Sequence, residues 1–83
     1  MKVTLSPNWD LTTEHPEASS GRPVLVNRAT GDAFGPGDPV QIYELEAGYM
    51  PAHVAVRSLA KAAELNTAER ALVKRFVGSG PPR

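Results

Sequence analysis

The chain has 83 residues, 41% apolar and 22% charged, with nine basic residues balanced by nine acidic ones. A chain of this length makes one domain, buries only about 60% of the surface its unfolded form exposes, and is too apolar for wholesale disorder. The absence of Cys excludes a disulfide framework and a thiolate metal cluster and points to the reducing cytoplasm. Met1–Leu5, followed at once by Ser6-Pro7-Asn8, lacks a signal-peptide core, and no stretch approaches the roughly 20 apolar residues of a membrane span. The expectation is therefore a soluble, cytoplasmic protein that is not exported.

Lys2–Leu5 alternates polar and apolar residues and predicts a short strand ending at Pro7. Residues 8–22 are mostly polar, so we expect a surface loop pinned by Trp9 and Leu11. Pro23-Val24-Leu25-Val26-Asn27 is a compact β-branched run and predicts a strand central to the sheet. Gly31 supplies the positive φ of a reversal, with Asp32 placed to bond the turn backbone, so a hairpin to residues 33–34 follows. Gly35-Pro36-Gly37-Asp38-Pro39 is a second, stiffer turn. Val40-Gln41-Ile42-Tyr43-Glu44 alternates again and is expected to be the third or fourth strand.

Past Pro51 the period lengthens to that of a helix. Ala52, Ala55, Val56, Leu59, Ala62 and Ala63 share one face over residues 51–64, and Pro51 suits a first turn. Asn66-Thr67-Ala68-Glu69 has the form of a capping box that starts a second helix over 67–77. That helix is expected to turn Ala68, Ala71, Leu72 and Phe76 inward, with Val73 and Val77 on the flank. Residues 78–83 are expected to be a flexible tail and 1–77 a single domain.

Charge is unevenly distributed although it sums to zero. Residues 1–50 carry Lys2, Arg22 and Arg28 against Asp10, Glu14, Glu17, Asp32, Asp38, Glu44 and Glu46, a balance of −4. Residues 51–83 carry Arg57, Lys61, Arg70, Lys74, Arg75 and Arg83 against Glu64 and Glu69, a balance of +4. The molecule is a charge dipole in sequence.

Catalytic patterns are sparse. His15 and His53 lack a partner at helical ligand spacing. Glu14, His15 and Glu17 would hold a metal only if His53 folded beside them, so a solvated polar loop is the expectation. Ser6, Ser19, Ser20, Ser58 and Ser79 lack the G-x-S-x-G context of a nucleophile elbow. Gly35-Pro36-Gly37 lacks the third glycine and the following helix of a phosphate loop. Glu44 and Glu46 would share a face if their strand continued, and we read them as charges guarding an exposed edge. Tyr43, Tyr49 and Met50 belong to types favoured at protein interfaces, yet five aromatic residues are few for a core, so burial is expected. Exposure of these three would reverse that preference.

Arg57 and Lys61 lie four residues apart, as do Arg70 and Lys74, so each helix sets two like charges side by side. A solvated face, or pairing with the acidic half, is the expectation, with an anionic partner as the alternative. Leu59-Ala60-Lys61-Ala62-Ala63-Glu64-Leu65-Asn66 resembles the first half of a helix-turn-helix. The resemblance stops there, since Glu64 stands where that motif usually has Gly and Arg70 where it buries Val or Ile.

The fold expected is α+β, a small antiparallel sheet of three to four short strands packed against a C-terminal two-helix hairpin. The function expected is non-enzymatic, with no cofactor: a protein-binding adaptor or inhibitor acting on a larger complex through Tyr43, Glu44, Glu46, Tyr49 and Met50. Small inhibitors made by phages and mobile elements share this outline, which is an analogy of scale. The alternative is a weak nucleic-acid-binding accessory protein using Arg57, Lys61, Arg70, Lys74 and Arg75.

Overall fold

A computed structural model describes residues 1–18 and 21–78. Its main sheet is an antiparallel meander of β1 (Lys2–Ser6), β2 (Trp9–Thr12), β3 (Val24–Asn27) and β4 (Ala33–Phe34), adjacent in that order. β3 is an interior strand, as its β-branched run predicts. β2 corrects the expected loop. Trp9-Asp10-Leu11-Thr12 alternates apolar and polar residues, and all four are buried between β1 and β3. Trp9 anchors this stretch as expected, its ring 5.9 Å from that of Phe34 across the sheet.

Register decides which side chains share a face. Val3, Leu11, Leu25 and Phe34 form one cross-strand row, and Thr4, Asp10, Val26 and Ala33 the row on the opposite face. The first row enters the core and the second does not. Between Thr4 and Ser6 the β1–β2 register shifts, a bulge before the tight turn at Pro7-Asn8. In the β3–β4 turn Gly31 has φ +82°, the left-handed value that favours glycine. The turn backbone is bonded by Asn27 rather than Asp32: Asn27 Oδ1 accepts from the N–H groups of Ala29 and Thr30.

Val40–Glu44 does not continue as a strand of this sheet. Only Pro39–Val40 (β5) is extended and paired, and its partner is Met50–Pro51 (β6), a strand beyond the expected limit of residue 46. Tyr43–Leu45 instead forms one turn of 3-10 helix ending at Glu46 with φ 50°. Val40 and Ile42 are both buried, two residues apart as in a strand, but Val40 ends β5 and Ile42 leads into the 3-10 turn. A single 3-10 turn anchored by Ile42 produces the same short pattern.

Helix α1 (Ala52–Ala62) follows β6 directly, and α2 (Thr67–Gly78) returns beside it. α1 buries Ala52, Ala55, Val56 and Leu59, the i, i+3, i+4, i+7 stripe of an amphipathic helix. Pro51 cannot cap it with a side chain, so carbonyls of the preceding turn satisfy its first free amides: Ala52 N–H donates to Asp38 O and His53 N–H to Pro36 O, both 2.9 Å. The capping box of α2 is formed as its sequence predicts. Asn66 N–H donates to Glu69 Oε1 (2.9 Å) and Glu69 N–H to Asn66 Oδ1 (2.8 Å).

The buried face of α2 is rotated from expectation. Leu72, Val73 and Phe76 are buried, whereas Ala68 and Ala71 are exposed. Likewise Ala62 of α1 is exposed. Small Ala side chains gain little from burial, and the larger Val73 takes the inward position. The molecule is thus an α+β fold: a four-stranded antiparallel sheet, a two-stranded ladder and two C-terminal helices around one core. No described helix is long and apolar enough to cross a membrane. The tail proposed for residues 78–83 lies, beyond Gly78, outside the described residues.

Candidate binding surfaces

The residues weighed for catalysis are engaged locally and do not converge. His15 Nδ1 accepts from Glu17 N–H (3.0 Å), closing its own loop. His53 Nδ1 lies 2.9 Å from Pro36 O, so that nitrogen carries the proton, and the ring joins α1 to the 35–39 turn. Glu44 Oε2 accepts from Ser6 Oγ (2.9 Å), and Glu46 caps the 3-10 turn, so these two carboxylates do not share a strand face. Among the described residues no group of three or more His, Asp or Glu side chains is arranged to hold a metal ion. Ser19, Ser20 and Ser79 lie outside the described residues.

Residues 41–49 form a loop whose ends are joined by the Val40–Met50 ladder pair. Three side chains fasten it to the core: Ile42 fully, Leu45 and Met50 partly. The 3-10 turn is closed by Leu45 N–H to Ile42 O and Glu46 N–H to Tyr43 O, both 3.0 Å. With those anchors fixed, Tyr43 is 80% and Tyr49 74% exposed. Both tyrosines, expected in the core, are therefore surface residues, and Met50 is half-buried. Tethered at Ile42, Leu45, Met50 and the Ser6–Glu44 bond, the loop presents two large amphipathic side chains beside two carboxylates.

The basic residues of the helices do come together. A cleft of about 270 Å³ between α1 and α2 is lined by Arg57, Ala60, Lys61, Arg70, Val73 and Lys74. The antiparallel return of α2 sets its Arg70–Lys74 pair across from the Arg57–Lys61 pair of α1. Among the described residues none of these four cations makes an ion pair, so the expected pairing with the acidic half is absent there. Arg70 does hold the joint between the helices, donating from Nη1 to Leu65 O (2.9 Å). Arg75 is not part of the cleft lining; its Nη2 donates to Gly21 O at 2.6 Å.

A third feature lies on the sheet face away from the core. Lys2, Asp10, Thr12, Glu14, His15 and Val26 line a hollow of about 220 Å³. Asp10 is only 6% exposed; its Oδ2 sits 3.4 Å from Arg28 Nε, and among the described residues its Oδ1 has no hydrogen-bond partner. Arg28 is held in turn by donating to Pro7 O (3.2 Å). Above it, the Met1 ammonium lies 2.7 Å from Glu14 Oε2; this hydrogen bond and charge, with a smaller contribution from Lys2, hold the Glu14 carboxyl below its ordinary value. Asp10 and Thr12, expected in a surface loop, are buried. Their signal was the W-D-L-T alternation, hidden by the polar residues around it.

Set beside known protein families, curated proteins and solved structures, the chain matches none of them.

Proposed function

We propose that the protein is a non-enzymatic protein-binding module that docks on its partner through the 41–49 loop, with Tyr43 and Tyr49 as anchors and Glu44 and Glu46 as the polar rim. One observation carries this reading: a chain with five aromatic residues leaves two of them, Tyr43 and Tyr49, largely in solvent on a loop fastened at both ends. Tyrosine loses few rotamers on binding and combines a large apolar body with a hydroxyl, which is why it is enriched at interface centres. Fastening matters as much as composition. A loop already ordered by Ile42, Leu45 and Met50 has little conformational freedom left to lose when it binds.

Lack of a converging catalytic group among the described residues supports the same reading, because the side chains of His15, His53 and Glu44 are each held in separate local contacts and Glu46 lies at the end of the 3-10 turn. The test is capture of partners by the tagged full chain from a bacterial lysate, with and without nuclease, in parallel with Y43A/Y49A. A discrete protein that survives nuclease and is retained about tenfold or more weakly by the double variant is the expected result, since truncated interface anchors commonly cost over 1 kcal/mol each. Equal retention by Y43A/Y49A, or partners that vanish with nuclease, would overturn it.

A further inference from the structure

The α1–α2 cleft combines two features that a solvated basic face would not need together. Its rim carries Arg57, Lys61, Arg70 and Lys74 with no ion-pair partner among the described residues, and its floor is made by Ala60 and Val73. Each helix holds a like-charge pair one turn apart, an arrangement that opposes the helix carrying it. Bringing the two pairs to one cleft compounds that repulsion, which an anionic group seated between them would relieve.

We propose that this cleft docks an acidic amphipathic segment of a partner protein, with apolar side chains on Ala60 and Val73 and carboxylates against the four cations. The floor selects the class of partner. A phosphodiester backbone would engage the rim and leave the apolar floor uncovered, and a reader of single strands needs aromatic platforms, of which the lining has none. An amphipathic helix laid in a groove uses both parts, apolar residues at i, i+3 or i+4 spacing below and acidic residues at the sides. At about 270 Å³ the cleft is also smaller than an ordinary pocket for a small-molecule ligand, about 300–1,000 Å³. It shares no residue with the 41–49 loop, so two separate surfaces would make the protein an adaptor.

Selection of a random peptide display library on the immobilised full chain, at about 150 mM salt, tests this directly. The expected winners are acidic, carry apolar residues at helical spacing, and lose about tenfold or more in affinity for K61E/K74E and a smaller factor for K61Q/K74Q. Both lysines are exposed and each variant removes an i, i+4 repulsion, so the variants should melt at or slightly above the parent. Y43A/Y49A should bind the same peptides unchanged, which separates this surface from the tyrosine loop. Several outcomes would overturn the proposal: winners without acidic bias, equal binding by K61E/K74E, or loss of binding in Y43A/Y49A. Tighter binding of a 20-base-pair DNA duplex than of the best peptide would assign the cleft to nucleic acid instead. Self-association abolished by K61E/K74E would assign it to a second copy of this chain.

Discussion

β1 and β2 are neighbours in one sheet and alternate apolar with polar residues in the same way, yet only β1 has a wet face. Lys2 and Thr4 are exposed, whereas Asp10 and Thr12 on the corresponding face of β2 are each 6% exposed. Position in the sheet makes the difference. β1 is an edge strand, while β2 is flanked by β1 and β3, and the residues after it fold back over it: Glu14 N–H donates to Thr12 Oγ1 (2.9 Å). A polar residue in an interior strand is not thereby solvated, and once buried it must be neutralised. For Asp10 that task falls to Arg28, brought in by the β3–β4 turn.

Three experiments would break or sharpen this contrast. Leu11→Ala, on the core-facing side of β2, removes a fully buried side chain and should cost about 2–5 kcal/mol in denaturant unfolding. On the opposite face, Arg28→Ala should cost about 1–3 kcal/mol, because it leaves the Asp10 carboxylate buried without its countercharge. Asp10→Asn in that background should recover part of the loss, and an unchanged stability of Arg28→Ala would show that Asp10 is hydrated after all. The smallest effect belongs to the exposed end of this face. Glu14 titrates below its ordinary value of about 4.5, so its pairing with the Met1 ammonium stabilises the fold above that pH and is lost as pH falls through the lowered value. Melting temperature should therefore drop between pH 4.5 and lower values by slightly more in the parent than in Glu14→Gln.

The same contrast explains what could be read ahead of the fold. β1 and α1 were legible because each has a regular period and one clear apolar face, and β3 because it is a compact β-branched run. The Asn66–Glu69 box was legible because its two hydrogen bonds close within three residues. β2 was not, since four alternating residues amid a polar stretch carry little periodic signal. Nor was the 41–49 loop: in Val40–Glu44 the burial of Val40 and Ile42, two residues apart, mimicked a strand, and the scarcity of aromatic residues argued for burying Tyr43 and Tyr49 when the core is filled by aliphatic side chains, Trp9 and Phe76.

By itself, then, the sequence determined the features whose physics is local: the positive φ at Gly31, the cap at Asn66, the inward stripe of α1, and the paired cations one turn apart on each helix. Tertiary structure alone decided that those two pairs face one cleft, that Arg75 leaves them for Gly21, that Asp10 is buried beside Arg28, and that both tyrosines remain outside. The reason is one of range. Caps, turns and helix faces are set by interactions within a few residues, whereas convergence of side chains depends on how α2 returns along α1 and how the strands are ordered, and no short stretch of chain contains that information.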